Sequence, residues 1–485
     1  MDTDRYIVEG MHSLEGETWV HGAKNAALPI LAASLLCGDC EIENCPDLSD
    51  IHAAENILRH LGCRTHWEQS QGSKVLCIHS EGPFVSEIPD QLMREMRSSI
   101  VFLGAMIARC GQAKLSYPGG CELGPRPIDL HLSSLKKLGV TIREDGGYLD
   151  CTAPKGLYAA QITLPFPSVG ATENIMIAAS MAQGETVIQN AAREPEILDL
   201  AGFLNTCGAK VRILPDGTVA IEGVKQLHGC RYRVIPDRIV AVTYLCCCAV
   251  AKGELLLRGV RPDHLSAVLP LLEEMGCQLK TEKDTIRIVC RQPLRAVSGI
   301  STMPYPGFPT DALAPMMATA CTAQGTTIFI ENIFQDRFKH AWELCRMGAD
   351  IKAEGRVAVV RGVPCLHCAQ VRCTDLRGGA ALVIAALGAR GKTVVEDIRH
   401  LLRGYEHLDH NQQSGWMYRP QNHVKITTGQ RVDRLPKDKE SCQKGEAKCH
   451  KPSHAARQKG GPFAKSENIF SIIFCLRHFA SQFCL

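Results

Sequence analysis

Residues 184–223, GETVIQNAAREPEILDLAGFLNTCGAKVRILPDGTVAIEG, contain the pattern from which the fold of this chain can be predicted. Apolar residues at 197, 200, 201 and 204 recur at helical spacing, and Gly208 follows where a helix commonly ends in a residue with positive φ. After the glycine, apolar residues alternate on both sides of a Pro-Asp-Gly turn at 215–217, which is typical of a β-hairpin. The stretch therefore predicts a strand, a helix and a two-stranded hairpin.

The same pattern recurs along the chain. In six places an apolar segment ends in a glycine followed by a short strand-like run, at Gly38, Gly111, Gly184, Gly253, Gly325 and Gly391. A second glycine follows 23 to 28 residues later in five of these units, at Gly62, Gly139, Gly208, Gly276 and Gly348. The first glycines are 66 to 73 residues apart, which predicts an α/β fold built from six α+β repeats. Such repeats can build a solenoid or two globular domains of three units, and the periodicity fits both.

Composition excludes several classes of protein. Of the 485 residues, 45% are hydrophobic and 22% are charged, as in an ordinary folded protein. The longest nearly apolar run, residues 239–251, is too short to span a bilayer. The charged N-terminus does not resemble a signal peptide, so we expect a cytoplasmic protein. Residues 1–410 contain 41 Lys and Arg against 46 Asp and Glu, and this acidic balance argues against a nucleic-acid partner.

The 24 cysteines are expected to be thiols, since disulfide frameworks belong to short secreted chains. Two groups of cysteine and histidine could suggest zinc: Cys365, Cys368 and Cys373, and in the tail Cys442, Cys449, His450 and His454. Neither contains a pair of Cys-x₂-Cys motifs, so no metal site is predicted from them.

The tail at residues 411–485 differs from the rest of the chain. It holds 13 Lys and Arg against 5 Asp and Glu, and the helical pattern of the sixth unit stops near residue 410. A change of reading frame near codon 411 and a lineage-specific extension both explain the abrupt change. The composition predicts a basic tail that is largely disordered beyond about residue 420.

Polar residues occur where the apolar repeat does not need them. Lys24 and Asn25 open an apolar helix, where the positive end of the helix favours an anion. The loop at residues 117–130 is rich in glycine and proline and contains Cys121 and Arg126. The arginine would favour the thiolate and could bind a phosphate or carboxylate through two hydrogen bonds.

Further charged residues lie in or near turns and helix starts. They are Arg97, Arg337, Arg377, Arg403, Asp311 and Asp375. Together the arginines predict a substrate with several negative charges.

Nine phrases carry a resemblance that runs from about residue 5 to about residue 410. They are GAKNAALPILAA, GGCELGPRPIDLHL, FPSVGATENIM, NAAREPEILD, PDRI, GFPTD, ENIFQDRFKHAWEL, TDLRGGAAL and RGYE. They resemble the UDP-N-acetylglucosamine 1-carboxyvinyltransferase family of enolpyruvyl transferases. The resemblance implies two domains of three βαβαββ-like units, residues 24–235 and residues 1–23 plus 236–410, with the active site in the cleft between them.

The resemblance also implies an activity. Members of the family transfer the enolpyruvyl group of phosphoenolpyruvate to the 3′-hydroxyl of UDP-N-acetylglucosamine and release phosphate, which is the first committed step of peptidoglycan synthesis. The two partners are therefore expected to be small-molecule substrates, with no cofactor and no metal.

Each site residue takes its implied role from its place in a matching phrase. Cys121 matches the proton donor that fosfomycin alkylates, and Asp311 matches the base that receives the hydroxyl proton. Positions for phosphoenolpyruvate and for its phosphate and carboxylate groups are matched by Lys24, Asn25, Arg126 and Arg403. Positions for the UDP-sugar are matched by Arg97, Arg126, Pro127, Ile128, Asp129, Leu130, Ser168, Val169, Gly170 and Ile333. Groups near the reacting centre are matched by Asp375 and Arg377, and Arg337 is a further substrate-binding candidate.

Two alternatives remain at this stage. The sister enzyme that makes enolpyruvylshikimate phosphate has the same architecture, although the GAKNAALPILAA phrase and the GGC loop speak against it. The second alternative is a paralogue that binds the UDP-sugar without turnover. It is suggested by the incomplete sixth unit.

Overall fold

The computed structural model describes residues 5–70, 73–119, 128–406 and 426–428. Cys121, Arg126 and Pro127 lie outside the described residues, and so do residues 407–425 and 429–485 of the tail region. The expected disorder of the tail therefore stays a prediction for those residues.

The described residues form twelve α-helices and 26 short strands. The helices are α1 (Lys24–Ser34), α2 (Ser49–Leu61), α3 (Asp90–Glu95), α4 (Phe102–Cys110), α5 (Asp129–Lys137), α6 (Val169–Ala179), α7 (Pro195–Thr206), α8 (Arg238–Ala251), α9 (Leu269–Glu274), α10 (Thr310–Ala320), α11 (Ala341–Arg346) and α12 (Leu376–Gly388). Three short 3₁₀ helices are also present, at Arg97–Val101, Pro262–Leu265 and Ile398–Arg403.

The strands of the first half are β1 (Arg5–Glu9), β2 (Glu15–Trp19), β3 (Asp39–Glu43), β4 (Arg64–Ser70), β5 (Ser73–His79), β6 (Glu87–Ile88), β7 (Gln112–Ser116), β8 (Thr141–Asp145), β9 (Tyr148–Thr152), β10 (Gln161–Thr163), β11 (Glu185–Gln189), β12 (Lys210–Ile213), β13 (Val219–Glu222) and β14 (Arg231–Arg233). Those of the second half are β15 (Glu254–Arg258), β16 (Gln278–Thr281), β17 (Thr285–Val289), β18 (Gly299–Ser301), β19 (Thr326–Ile330), β20 (Asp350–Glu354), β21 (Val357–Arg361), β22 (Leu366–His367), β23 (Gln370–Arg372), β24 (Ala389–Arg390), β25 (Lys392–Glu396) and β26 (Ile426–Thr428).

The third unit has the structure that its sequence predicts. Strand β11 leads into helix α7, and Gly208 after the helix has a φ of 94°. This left-handed conformation favours glycine, because a Cβ atom would be strained there. Strands β12 and β13 then form an antiparallel hairpin in which Val211 lies opposite Ile221. The predicted order of elements is confirmed.

The six predicted repeats correspond to six four-stranded sheets in the described part of the chain. In each sheet a short edge strand runs parallel to its neighbour, and two antiparallel strands follow. The orders are β14-β3-β5-β4, β6-β7-β9-β8, β10-β11-β13-β12, β2-β15-β17-β16, β18-β19-β21-β20 and β23-β25-β1-β26. The α/β prediction of six units is confirmed.

The sixth sheet is completed by strands from both ends of the described chain. The N-terminal strand β1 takes the third position and pairs with β25, with Ile7 opposite Val394. Strand β26, at Ile426–Thr428, takes the fourth position, with Ile7 opposite Thr427. The tail thus contributes a strand at the position where the other units place the outer strand of their hairpin, and the sequence analysis did not anticipate it.

The buried apolar side chains form two separate cores. The first extends from Ala23 to Val234 and the second combines residues 6–20 with residues 240–405. Helix α8 of the second core is buried on all sides, because every residue from Ile239 to Ala251 is buried. The assignment of independent domains to the two cores stays a prediction. No helix in the described part of the chain has the length and apolar character needed to cross a membrane.

Candidate functional site

A buried carboxylate, Asp50, joins two of the predicted substrate-binding cations. Lys24 Nζ donates a hydrogen bond to Asp50 Oδ2 at 2.9 Å, and Arg403 Nε donates to Asp50 Oδ1 at 2.8 Å. Lys24 is the first residue of α1, whereas Arg403 ends a 3₁₀ helix attached to the second core. The contact therefore brings together residues separated by nearly the whole folded chain.

The charge state of Asp50 follows from its neighbours. Burial by itself would raise its pKa, but the positive charges of Lys24 and Arg403 outweigh burial and hold the pKa below its ordinary value of 3.8. Asp50 is thus a carboxylate that fixes two cations. Sequence reasoning missed it, because an acidic residue in the first turn of a helix is common and usually means only a favourable helix start.

Two helix N-termini meet beside Lys24. The Asp237 carboxylate caps α8 by accepting hydrogen bonds from the backbone amides of Ile239 and Val240, at 2.8 and 3.0 Å. Its other oxygen accepts a bond from the backbone amide of Lys24 at 3.3 Å. Asn25, the next residue, is exposed on the first turn of α1. The predicted anion site therefore has a lysine and a helix start that belong to one hydrogen-bonded network.

A second ion cluster is centred on Asp311, in the first turn of α10. Arg337 Nη2 donates to Asp311 Oδ1 at 2.9 Å, while Arg377 Nη2 donates to Oδ2 at 3.1 Å. Both arginines are almost completely buried, and Asp311 is partly exposed. Three residues that the sequence singled out one by one are therefore in direct contact.

The position of Arg377 is fixed from several sides. Its Nη1 donates to Tyr405 Oη at 3.1 Å, and the Tyr405 hydroxyl lies 2.8 Å from Thr243 Oγ1. Burial by itself would lower the pKa of Arg377, but Tyr405, Asp311 and Asp237 together raise it well above its ordinary value. Asp237 therefore acts electrostatically on the Asp311 cluster as well as bonding to Lys24.

Asp375 lies next to this cluster and caps the helix that carries Arg377. It is the N-cap of α12, where its carboxylate accepts hydrogen bonds from the backbone amides of Arg377 and Gly378 at 3.1 and 3.0 Å. Burial opposes its ionisation, yet the charges of Arg337 and His340 lower the pKa of Asp375. The residue is buried, so its visible role is to hold the helix start that carries Arg377.

The residues predicted for the UDP-sugar are partly gathered around His131. Ser168 is the N-cap of α6, Val169 and Gly170 begin that helix, and a Cβ atom on Gly170 would lie 3.0 Å from the His131 ring. His131 also contacts Asn174, whose Nδ2 lies 2.8 Å from its Nδ1.

Burial, together with the charge of Arg97, lowers the pKa of His131 to about 4, so the ring is neutral at physiological pH. His131 and Asn174 were not among the predicted residues, although both lie in phrases that carry the family resemblance. Ile128 is buried, and Asp129 and Leu130 open α5 just before the histidine.

Ile333 lies beside the Asp311 cluster. Its backbone amide donates to Glu331 Oε1 at 2.6 Å, and the other oxygen of Glu331 accepts a bond from Thr310 Oγ1 at 2.8 Å. Glu331 thus fastens the loop of Ile333 to the start of α10. Cys121, Arg126 and Pro127 cannot be placed, since they lie outside the described residues.

Comparisons with known proteins agree with this fold. The family model of EPSP synthase (3-phosphoshikimate 1-carboxyvinyltransferase) matches residues 8–411. Among solved structures, the enolpyruvyl transferase NikO from Streptomyces tendae is similar with a TM-score of 0.77 and 25% identity, covering 88% of this chain and 100% of that chain. EPSP synthase from Acinetobacter baumannii has a TM-score of 0.62 and 17% identity, covering 83% of this chain and 96% of its own. The predicted enolpyruvyl transferase fold is confirmed.

Curated relatives narrow the family further. The chain is 52% identical over 406 residues to UDP-N-acetylglucosamine 1-carboxyvinyltransferase 2 of Caldanaerobacter subterraneus subsp. tengcongensis, covering 84% of this chain and 96% of that protein. It is 49% identical over 409 residues to UDP-N-acetylglucosamine 1-carboxyvinyltransferase 1 of Symbiobacterium thermophilum, covering 84% of this chain and 92% of that protein. The family model stops at residue 411, where the composition changes. The chain therefore belongs to the UDP-N-acetylglucosamine 1-carboxyvinyltransferase family of enolpyruvyl transferases.

Proposed function

We propose that this chain transfers the enolpyruvyl group of phosphoenolpyruvate to the 3′-hydroxyl of UDP-N-acetylglucosamine and releases phosphate. The observation that carries the proposal is the Asp311 carboxylate, which is partly exposed and is held by two buried arginines beside the Lys24 network. A fixed carboxylate suits the removal of a hydroxyl proton, and fixed cations suit a highly charged donor.

The reaction proceeds by addition and then elimination. Asp311 accepts the proton of the 3′-hydroxyl while the oxygen forms a bond to C2 of phosphoenolpyruvate. The methylene carbon gains a proton, for which Cys121 is the proposed donor from the resemblance. In the second step the new methyl group loses a proton, the C2–O bond to phosphate breaks, and the enol ether and inorganic phosphate leave.

The cations have separate tasks. Lys24 and Arg403 are proposed to bind the phosphate and carboxylate of phosphoenolpyruvate, with Arg126 and Asn25 as further ligands. Asp50 holds Lys24 and Arg403 in place before the substrate arrives, so that little reorganisation is needed when charge develops.

The UDP-sugar is proposed to bind along residues from both cores. Its candidate contacts are Arg97, Arg126, Pro127, Ile128, Asp129, Leu130, Ser168, Val169, Gly170 and Ile333, with Arg337, Asp375 and Arg377 near the reacting centre. The proposed domain division, residues 24–235 and residues 1–23 plus 236–410, would put these groups on facing sides of the expected cleft, and the two separate cores support this division. The setting would be the cytoplasm, at the first committed step of peptidoglycan synthesis.

Phosphate release by the full chain tests the proposal. We expect release from phosphoenolpyruvate with UDP-N-acetylglucosamine and none above background with shikimate 3-phosphate. Binding of the UDP-sugar without phosphate release would instead indicate a paralogue that has lost activity. Fosfomycin should add to the peptide that contains Cys121, and an adduct on another cysteine would remove Cys121 from the proposed mechanism.

A further inference from the structure

Four cysteine side chains converge at one end of the first core. The Sγ atoms of Cys37, Cys40 and Cys207 all lie within 4.8 Å of one another, and these three residues are buried. Cys230 joins them, with its Sγ 3.3 Å from Cys207 Sγ and with Cys40 also within hydrogen-bonding contact. We call these four residues the thiol cluster.

The fold builds the thiol cluster from three chain segments. Cys37 and Cys40 form a Cys-x₂-Cys motif that begins after α1 and ends at the second residue of β3. Cys207 is the C-cap of α7, and Cys230 precedes β14. Strands β14 and β3 pair in parallel, and the amide of Glu41 donates to the carbonyl oxygen of Cys230 at 2.9 Å. The backbone therefore holds these segments together independently of any ligand.

Glycine permits the close approach of two of these segments. A Cβ atom on Gly229 would lie 1.8 Å from the carbonyl oxygen of Asp39, inside the Cys-x₂-Cys motif. Only a residue without a side chain fits there, so Cys230 can reach the other thiols.

We propose that the thiol cluster binds one structural Zn²⁺ ion through four thiolates. Zinc bound by four cysteines is tetrahedral with Zn–S distances of about 2.3 Å, which corresponds to sulfur–sulfur separations of roughly 3.8 Å. The observed separations are 3.3 Å between Cys207 and Cys230 and below 4.8 Å within the buried three. Cys230 is not within 4.8 Å of all three, so its side chain would shift to complete the tetrahedron. The same 3.3 Å is far longer than the roughly 2.05 Å of a disulfide bond.

The ligand set also indicates the role of the ion. Four cysteine ligands complete a tetrahedron and leave no position for water or substrate, which is the mark of a structural site. None of the four belongs to the residues proposed to bind phosphoenolpyruvate or the UDP-sugar, so this inference does not depend on the proposed function. The ion would tie the end of α1, the end of α7 and the start of β14 to one another.

The site has a route to solvent. A surface cavity of about 250 Å³ is lined by Asp39, Cys40, Glu41 and Cys230, among others. Two of the proposed ligands, Cys40 and Cys230, thus line this cavity, and Cys230 is only half-buried. An entry path is one of the requirements for a metal site.

Metal content of the intact protein tests the proposal. The full chain is produced with zinc in the medium, purified with a thiol reductant and analysed by inductively coupled plasma mass spectrometry. We expect one zinc per chain in the wild type and in Cys110→Ser, which replaces a half-buried cysteine at the end of α4 outside the thiol cluster. Cys207→Ser should lose most of the zinc.

Replacing zinc by Co²⁺ in the wild-type protein provides a second test, which does not depend on whether Cys207→Ser folds. The Co²⁺ protein should show intense thiolate-to-metal charge-transfer bands and the visible bands of a tetrahedral ion, and adding zinc should abolish them. Substoichiometric zinc in the wild type, a cobalt spectrum without thiolate bands, or a Cys207–Cys230 disulfide in the native protein would each overturn the proposal. Stoichiometric iron in place of zinc would overturn the identity of the ion.

Discussion

The two ion clusters of the candidate site each contain one carboxylate and two cations, but they differ in which of these groups is exposed. In each, one carboxylate bridges two cations: Asp50 between Lys24 and Arg403, and Asp311 between Arg337 and Arg377. The Asp50 side chain is 5% exposed and that of Arg403 is 37% exposed, whereas Asp311 is 28% exposed and both of its arginines are 2% exposed.

In each cluster, we expect the exposed group to contact the substrate and the buried group to hold it in position. In the Asp50 cluster the carboxylate is hidden and a cation faces outward, which suits the binding of an anionic substrate. In the Asp311 cluster the cations are hidden and the carboxylate faces outward, which suits proton transfer. In the proposed mechanism, burial rather than residue type therefore distinguishes the two roles.

Removing the outward carboxylate should have the largest effect. Asp311→Ala is expected to lower kcat about 10²–10⁴-fold, the usual contribution of a positioned acid or base. Phosphate release under saturating substrates measures it, with Asp311→Asn as the control that keeps the shape and the arginine contacts in part. Near-normal turnover in both variants would remove Asp311 from the mechanism.

Removing the hidden carboxylate should act through the cations that it holds. Asp50→Asn is expected to lower kcat/KM for phosphoenolpyruvate on the order of 10²-fold, because Lys24 and Arg403 lose their fixed positions. The KM for the UDP-sugar should change little. An equal loss for both substrates would mean that Asp50 maintains the fold and not the anion site.

Acid should weaken the Asp50 cluster. The pKa of Asp50 is lowered in the folded protein, so its stabilisation is complete above its ordinary value of 3.8 and is lost as the pH falls through the folded value. The free energy of unfolding should therefore fall less steeply in Asp50→Asn than in the wild type as the pH drops from about 5 to about 3. Urea titrations at several pH values measure this difference, and parallel curves would contradict it.

The smallest effect is expected at the edge of the Asp311 cluster. Tyr405→Phe removes the hydroxyl that lies between Arg377 and Thr243. Loss of these hydrogen bonds should cost about 1–3 kcal/mol of stability, because buried partners are left unpaired. Turnover should fall less than in Asp311→Ala, since Asp311 still bonds to Arg377. Chemical denaturation measures the change in stability, and a steady-state assay measures kcat. A fall in kcat as large as that of Asp311→Ala would contradict this prediction and would indicate a catalytic role for Tyr405.

Several candidate site residues could be predicted one by one because the apolar repeat does not require a charged residue at a turn or helix start, and such a residue is noticeable in the sequence even where the fold buries it. Lys24 at the start of α1 and Asp375 before α12 are of this kind. Asp50 could not be predicted, since its importance comes from Arg403, which is 353 residues away in the chain. His131 was missed for a similar reason, because its low pKa arises from burial and from Arg97.

The thiol cluster shows the same limit. The Cys-x₂-Cys spacing at residues 37–40 is visible in the sequence, but its partners Cys207 and Cys230 are 23 residues apart and match no zinc pattern. The groups that the sequence did suggest, such as Cys365 and Cys368, did not lead to this site. Parallel pairing of β14 with β3 brings Cys230 to the motif, and the end of α7 brings Cys207.

By itself, the sequence of this protein determined the repeating units, because helix periodicity, strand alternation and the glycine at each helix end act over a few neighbouring residues. It also determined the family, through phrases that recur in order. The tertiary structure decided which carboxylate is buried and which is presented, which distant thiols meet, and that β1 and β26 complete the sixth sheet. These outcomes depend on contacts across hundreds of residues, whose energies arise from burial and packing and have no local pattern in the chain.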